Sequence, residues 1–232
     1  MNSATPPAES FRPPVPQAAV IPGPAGNLEA RIENPVPADA VHRVVGVLCH
    51  PHPLYGGTMQ NKVVHTAARA MQEAGAATVR FNFRGVGRSG GQYDKGVGEL
   101  EDALAVVQWT RAHFGCDAVW LAGFSFGAAV ALQAAARDAR PRRLVTIAPP
   151  VGRILTEPVA RPDCPWLIVQ GDRDELVEAG AVRAWAASYE PAPELLVIGG
   201  AEHFFHGKLL ELRAGVTAFL RADELARPAT ED

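Results

Sequence analysis

The sequence predicts an α/β protein, with one open and mostly parallel central sheet covered by helices on both faces. Three observations predict it. Short apolar runs alternate with longer segments of helical period through roughly 170 residues, the order that lays parallel strands side by side with crossover helices. The apolar runs show little polar alternation, as strands buried on both faces require. The 232 residues are enough for one large α/β domain but short for two.

The elements follow in order. Nine of the 20 prolines fall within the first 37 residues, so residues 1–18 (MNSATPPAESFRPPVPQA) read as a flexible Pro-rich arm. Proline removes a backbone donor and fits neither a helix interior nor a central strand. Residues 19–33 (AVIPGPAGNLEARIE) read as one or two short strands with a Gly/Pro turn between them. The strand candidates that follow are VVGVLC (44–49), ATVRFNF (77–83), AVWLAGF (118–124), RLVTIAP (143–149), PWLIVQG (165–171) and ELLVIGG (194–200). Helices are expected at about 60–74, 98–114, 126–138, 179–188 and 206–222. In the second of these, Leu100, Leu104, Val107 and Trp109 fall roughly along one face. The linker 150–164 (PVGRILTEPVARPDC) is Pro-rich and too short for a separate lid domain. The chain therefore divides into the arm, a single domain over 19–222 and a C-terminal tail over 223–232.

Composition narrows the function classes. The 22 Lys+Arg against 25 Asp+Glu leave a net charge of −3 with no basic cluster, so neither nucleic acid nor an anionic membrane is an expected partner. No apolar run approaches the ~18 residues of a spanning helix. The opening MNSATPPAES lacks both the cationic and the apolar region of a secretory signal. The three cysteines, Cys49, Cys116 and Cys164, are odd in number, far apart and outside any CxxC. That argues against a disulfide framework or a zinc site and fits a reducing, cytoplasmic compartment.

In a sheet of this kind chemistry collects in the loops at the carboxyl ends of the strands. Directly after AVWLAGF comes Gly123-Phe124-Ser125-Phe126-Gly127 and then the helix-prone run AAVALQAAAR. This is G-x-S-x-G in a strand–turn–helix setting. A serine on so tight a turn needs glycine two positions away on either side, and the helix that starts there aims its free N–H groups at the site. Ser125 is the candidate nucleophile, and the N–H of Phe126 one half of an oxyanion hole. A serine hydroxyl needs a base, and the base an orienting carboxylate. PWLIVQG ends in Gly171-Asp172-Arg173-Asp174-Glu175, and ELLVIGG is followed by Ala201-Glu202-His203-Phe204-Phe205-His206. Asp172 or Asp174 could supply the carboxylate, and His203 or His206 the base.

The motifs HPHPLYGG, FNFRGVGRSGG, GFSFG, GDRDELV and AEHFF together resemble the α/β-hydrolase superfamily, over about residues 20–222. Within it the sequence looks like a small member, close to the lid-less, dienelactone-hydrolase-like bacterial branch. The resemblance implies the α/β-hydrolase fold and the chain order Ser, Asp, His. It assigns the carboxylate to Asp174, the second acid, and the base to His203, before the aromatic pair. Dienelactone hydrolases carry cysteine as nucleophile, and Ser125 stands there here, so their particular substrate is not implied.

The resemblance also places the second oxyanion donor in the loop His50-Pro51-His52-Pro53-Leu54-Tyr55-Gly56-Gly57. Proline has no N–H, which removes Pro51 and Pro53. His52 lies at the matching position, with Leu54 and Tyr55 as alternatives, while Leu54, Tyr55 and Gly56 are expected to border the pocket. Gly85-Val86-Gly87-Arg88-Ser89-Gly90 matches G-x-G-x-x-G, but its surroundings are too glycine-rich to open a helix, so no dinucleotide is expected. The expected activity is that of a serine hydrolase, carboxylesterase-like, cleaving small or short-acyl esters or thioesters without cofactor or metal. A peptidase or cofactor-free perhydrolase using the same residues is the alternative among enzymes, and a non-catalytic scaffold of the same fold the alternative outside them.

Overall fold

The computed structural model describes residues 16–34, 44–116 and 118–222. Eight strands form one sheet: β1 (Gln17–Gly23), β2 (Gly26–Glu33), β3 (Val44–Cys49), β4 (Ala77–Phe81), β5 (Ala118–Phe124), β6 (Arg143–Ile147), β7 (Trp166–Gly171) and β8 (Glu194–Ile198), in the spatial order β1-β2-β4-β3-β5-β6-β7-β8. The hairpin β1–β2 is antiparallel and docks antiparallel on β4, and the remaining pairs are parallel. Among the described residues five α-helices cover it: α1 (Lys62–Glu73), α2 (Val97–Phe114), α3 (Phe126–Ala134), α4 (Ala179–Ala187) and α5 (Leu209–Arg221).

Two-residue periodicity divides the core into two layers. On β3, Val45, Val47 and Cys49 pack with Leu104 and Val107 of α2, Ala129 and Val130 of α3 and Val182 of α4. Leu48 points the other way, joining Val64 and Met71 of α1 and Val216 of α5. On β5, Val119 and Leu121 enter the first layer, and Trp120, Ala122 and Phe124 the second. Gly46 sits where a Cβ would lie 2.3 Å from Met71 Sδ, so the Met71 side chain of α1 packs into the space that the missing side chain leaves. Each fully buried Leu, Val or Met here contributes roughly 1.5–3 kcal/mol.

Element ends depart from the sequence expectation for local reasons. The strand expected over 77–83 stops at Phe81, because Asn82 turns its side chain to the Met59 N–H (2.8 Å) and Glu29 (2.9 Å). The Phe83 N–H goes to His50 Nε2 (3.0 Å) instead of to a ladder partner. α1 begins at Lys62 because the Asn61 side chain caps the N–H groups of Val63 and Val64. The helix expected over 126–138 is α-helical only to Ala134 and continues as a wider π turn over Ala135–Ala139. α5 starts at Leu209 rather than near 206, because Phe205 (φ 54°) and Gly207 (φ 70°) hold left-handed conformations that interrupt a helix. β1 starts at Gln17, two residues inside the segment read as arm. Residues 1–15 of that segment, and the tail from 223, lie outside the described residues. Among the described residues no helix is long and apolar enough to cross a membrane.

Candidate active site

The register brings the reactive loops to one level. Cys49 at the end of β3 pairs with Gly123 of β5, Phe124 with Ile147 of β6, and Gly171 at the end of β7 with Ile198 of β8. The chain after each strand therefore emerges along one edge of the sheet.

Ser125 occupies the turn between β5 and α3 with φ 53° and ψ −119°, a backbone conformation few L-residues adopt. Its N–H donates to Ile147 O (2.9 Å), and its carbonyl accepts the first α3 bond from Ala128 (2.8 Å). The flanking glycines are steric necessities. A Cβ on Gly123 would lie 2.0 Å from Gly127 O, and one on Gly127 would lie 2.4 Å from Cys49 O. Phe126 is the first residue of α3, so its N–H has no intrahelical acceptor and faces outward with the positive end of the helix.

His203 Nε2 stands 3.0 Å from Ser125 Oγ, and its Nδ1 stands 2.8 Å from Asp174 Oδ2. His203 is 2% exposed, and its contact with Asp174 is buried while that with Ser125 is partly so. It packs against the rings of Phe124 and Phe204, with centroids 5.2 Å away in each case. Its backbone N–H donates to Glu175 Oε2 (3.1 Å). Asp174 Oδ1 accepts the N–H groups of Leu176 and Val177, both at 2.9 Å. Burial acts to raise the Asp174 pKa, but the His203 hydrogen bond and the amides of Val177 and Leu176 outweigh it and hold the carboxyl below its usual value. Of the two pairs of alternatives, His203 meets the serine and Asp174 meets His203. Asp172 instead caps the β8 turn, accepting the Gly200 N–H at 2.6 Å. His206 is exposed and lies 3.9 Å from Glu202.

The loop after β3 is a rigid arch. Both Tyr55 and Gly57 donate N–H groups to His52 O at 3.1 Å, and Leu54 N–H donates to His52 Nδ1 at 3.2 Å. The amides of Leu54 and Tyr55 are thus occupied, whereas the His52 amide has no acceptor among the described residues. Gly57 has to be glycine, since a Cβ would lie 2.0 Å from Pro51 O. Leu54 and Tyr55, 66% and 86% exposed, stand beside the site mouth with Gly56 rather than lining a closed pocket.

Sequence reasoning missed the supports of this arch. His50 is completely buried, and its Nε2 accepts the Phe83 N–H, so the proton must sit on Nδ1, 2.6 Å from Pro51 O. Burial pushes its pKa down to about 4, keeping it neutral. The glycine-rich run after β4 packs beside it. Arg84 grips Asp102 of α2 through Nη2 (2.8 Å) and Nε (3.0 Å), in space left by Gly98. Ser89 Oγ donates to Asn82 O (2.7 Å) and accepts the Glu29 N–H (2.9 Å), tying the run to the hairpin. No helix opens at these glycines. The loop instead delivers Tyr93, whose hydroxyl meets His52 Nε2 at 3.1 Å, while the His52 ring lies 5.0 Å from that of Phe126. The motif FNFRGVGRSGG was the signal for this loop, but nothing in its spacing pointed to Tyr93.

The profile of the X-Pro dipeptidyl-peptidase (S15) family matches residues 26–154, more than half of the chain. The chain belongs to this family of α/β hydrolases. The matched stretch includes Ser125 and the His52 loop but ends before Asp174 and His203. A lid-less α/β serine hydrolase from Xanthomonas campestris is 44% identical to this hydrolase, with a TM-score of 0.86 over 95% of this chain and 100% of that one. An α/β serine hydrolase homologue from Coxiella burnetii is 47% identical, with a TM-score of 0.81 over 87% and 96% of the two chains. An uncharacterized protein of Rickettsia prowazekii is 34% identical over 207 residues, 85% of this chain and 86% of its own.

Proposed function

We propose that this hydrolase cleaves small or short-acyl carboxylic esters, and thioesters of the same reach, through an acyl-enzyme on Ser125. The observation that carries the reading is the position of His203, within hydrogen-bond distance of both Ser125 Oγ (3.0 Å) and Asp174 Oδ2 (2.8 Å). Ser125 Oγ attacks the carbonyl as His203 Nε2 takes its proton. Asp174 keeps the Nδ1–H tautomer and stabilises the imidazolium that forms. The tetrahedral oxyanion lies between the amides of Phe126 and His52, which need no reorganisation because the α3 start and the proline-stiffened arch hold them. His203 passes the proton to the leaving oxygen or sulfur, and water repeats the cycle to free the acid. No step calls for a cofactor, and the chemistry suits a cytoplasmic enzyme acting on dissolved substrates.

The short-acyl preference rests on an open site. Leu54, Tyr55, Leu176 and Phe204 remain exposed around the serine, and the relative from Xanthomonas campestris is described as lacking a lid. A series of p-nitrophenyl esters tests it. The reading expects kcat/KM to peak at acetate to butyrate, and a peak at laurate or longer would overturn it. The S15 match favours a second reading, peptide-bond cleavage by the same residues. Faster turnover of an X-Pro p-nitroanilide than of the p-nitrophenyl esters would put that reading first.

A further inference from the structure

The strand leading to Asp174 carries a side chain that the reaction above leaves unused. Gln170 of β7 is fully buried, and its Nε2 lies 2.9 Å from Asp174 Oδ2, the same oxygen that meets His203 Nδ1. Nε2 also faces the carbonyls of Gly171 (3.3 Å) and Val177 (3.2 Å). All three neighbours are acceptors, so only the amide nitrogen fits there. Oε1 is then left buried without a hydrogen-bond partner among the described residues. A buried, unmet acceptor is destabilising, and an apolar residue of the same length would avoid it. The fold alone does not account for a glutamine at this place.

We propose that Gln170 is a positioning residue, which locks Asp174 Oδ2 onto His203 and draws off part of the carboxylate's charge. With it, Asp174 is held by donors on both oxygens: Leu176 and Val177 on Oδ1, Gln170 and His203 on Oδ2. The two backbone donors pin one oxygen, and Gln170 stops the other from swinging away from the imidazole. The ionisable groups at this point are Asp174, His203 and Glu175, which accepts the His203 N–H. The inference rests on the Ser125 hydrolase reading and deepens it.

The test compares Gln170→Met, which keeps length and burial but loses the donor, with Gln170→Glu. For Gln170→Met, kcat falls about tenfold with KM little changed, as expected for losing one hydrogen bond to a charged group. The ascending limb of its pH–rate profile moves to higher pH, because an undiluted carboxylate charge holds the imidazolium more strongly. In Gln170→Glu the introduced carboxyl donates to Oδ2 while protonated and repels it once ionised. Activity is therefore near wild type at low pH and falls as pH rises, a descending limb that the other two proteins lack. Variants that melt lower yet keep wild-type kcat and pH profile would reduce Gln170 to a structural side chain and overturn the proposal. If both variants fail to fold, the wild-type Gln170 amide resonances decide. They shift when a fluorophosphonate occupies Ser125, and no shift overturns the proposal. A wild type that takes no label sinks the hydrolase reading itself, whereas a labelled wild type with unaltered variants sinks only the role of Gln170.

Discussion

Ser125 is held in a conformation that costs of the order of 1–3 kcal/mol, and its surroundings over-determine it. The Ile147 carbonyl, the two glycines and the start of α3 leave the hydroxyl no other place. His203 has no such backbone constraint, and its orientation depends on Asp174. Asp174→Asn keeps the shape but presents an amide N–H to Nδ1 and so imposes the wrong tautomer. We expect kcat to fall by about 10³–10⁴ with KM within a few-fold, measured on p-nitrophenyl acetate. A loss of under tenfold would mean that Asp174 does not orient the base. At this scale the sequence was legible wherever a residue type is chemically compelled. Ser125 stood out by its strand–turn–helix setting, whereas the residues alone left the carboxylate between Asp172 and Asp174 and the base between His203 and His206, and the family resemblance chose between them. His50, Asp102 and Gln170 did not stand out, because a polar residue inside an apolar strand or helix carries no mark of which distant group it will meet.

The loops that carry these residues are fixed by neighbouring elements. The glycine-rich run after β4 is braced on α2 by the bidentate Arg84–Asp102 pair, whose carboxylate side chain is 0% exposed. Asp102→Asn leaves the guanidinium buried with half its partner gone. Urea unfolding should show a loss of about 3–5 kcal/mol, the range for breaking a buried pair from one side, and a loss under 1 kcal/mol would contradict the account. Gly127→Ala pushes a Cβ into the Cys49 carbonyl, separating α3 from the oxyanion arch. The expected outcome is loss of p-nitrophenyl acetate hydrolysis beyond a hundredfold even where thermal melting still shows a folded protein. Element types and order were readable because parallel strands announce themselves as apolar runs and helices by their period. The ends were not, because they turn on contacts such as Asn82 with Glu29, 53 residues apart. The left-handed residues before α5 were equally hidden, since Phe205 is not a type that advertises positive φ.

Across the whole molecule the site is a product of register: the arch after β3, the Ser125 turn and the ends of β7 and β8 meet because the parallel pairs are in step. That coherence has an acid limit. Buried His50 has its pKa lowered from 6.5 to about 4, so between those values the unfolded chain binds a proton that the folded one refuses. The stability it contributes is complete above pH 6.5 and lost as pH falls to about 4, to the extent of roughly 3 kcal/mol at about 1.4 kcal/mol per unit. His52 and His65 are lowered in the same direction, chiefly by burial, and add to the effect. As pH falls through their ordinary values of 4.5 and 3.8, Glu29 and Asp174, both held lower in the fold, extend the loss. Urea midpoints from pH 7 to 4 should fall steeply for the wild type and less for His50→Gln, which keeps an acceptor for Phe83. Equal slopes would contradict the assignment of a neutral, buried His50.

The most direct test of the central claim is intact mass after treatment with a fluorophosphonate, run beside Ser125→Ala. The account predicts a single phosphonyl adduct on the wild type and none on the variant. A folded wild type that stays unlabelled, or a variant that labels as well as the wild type, would contradict an activated Ser125.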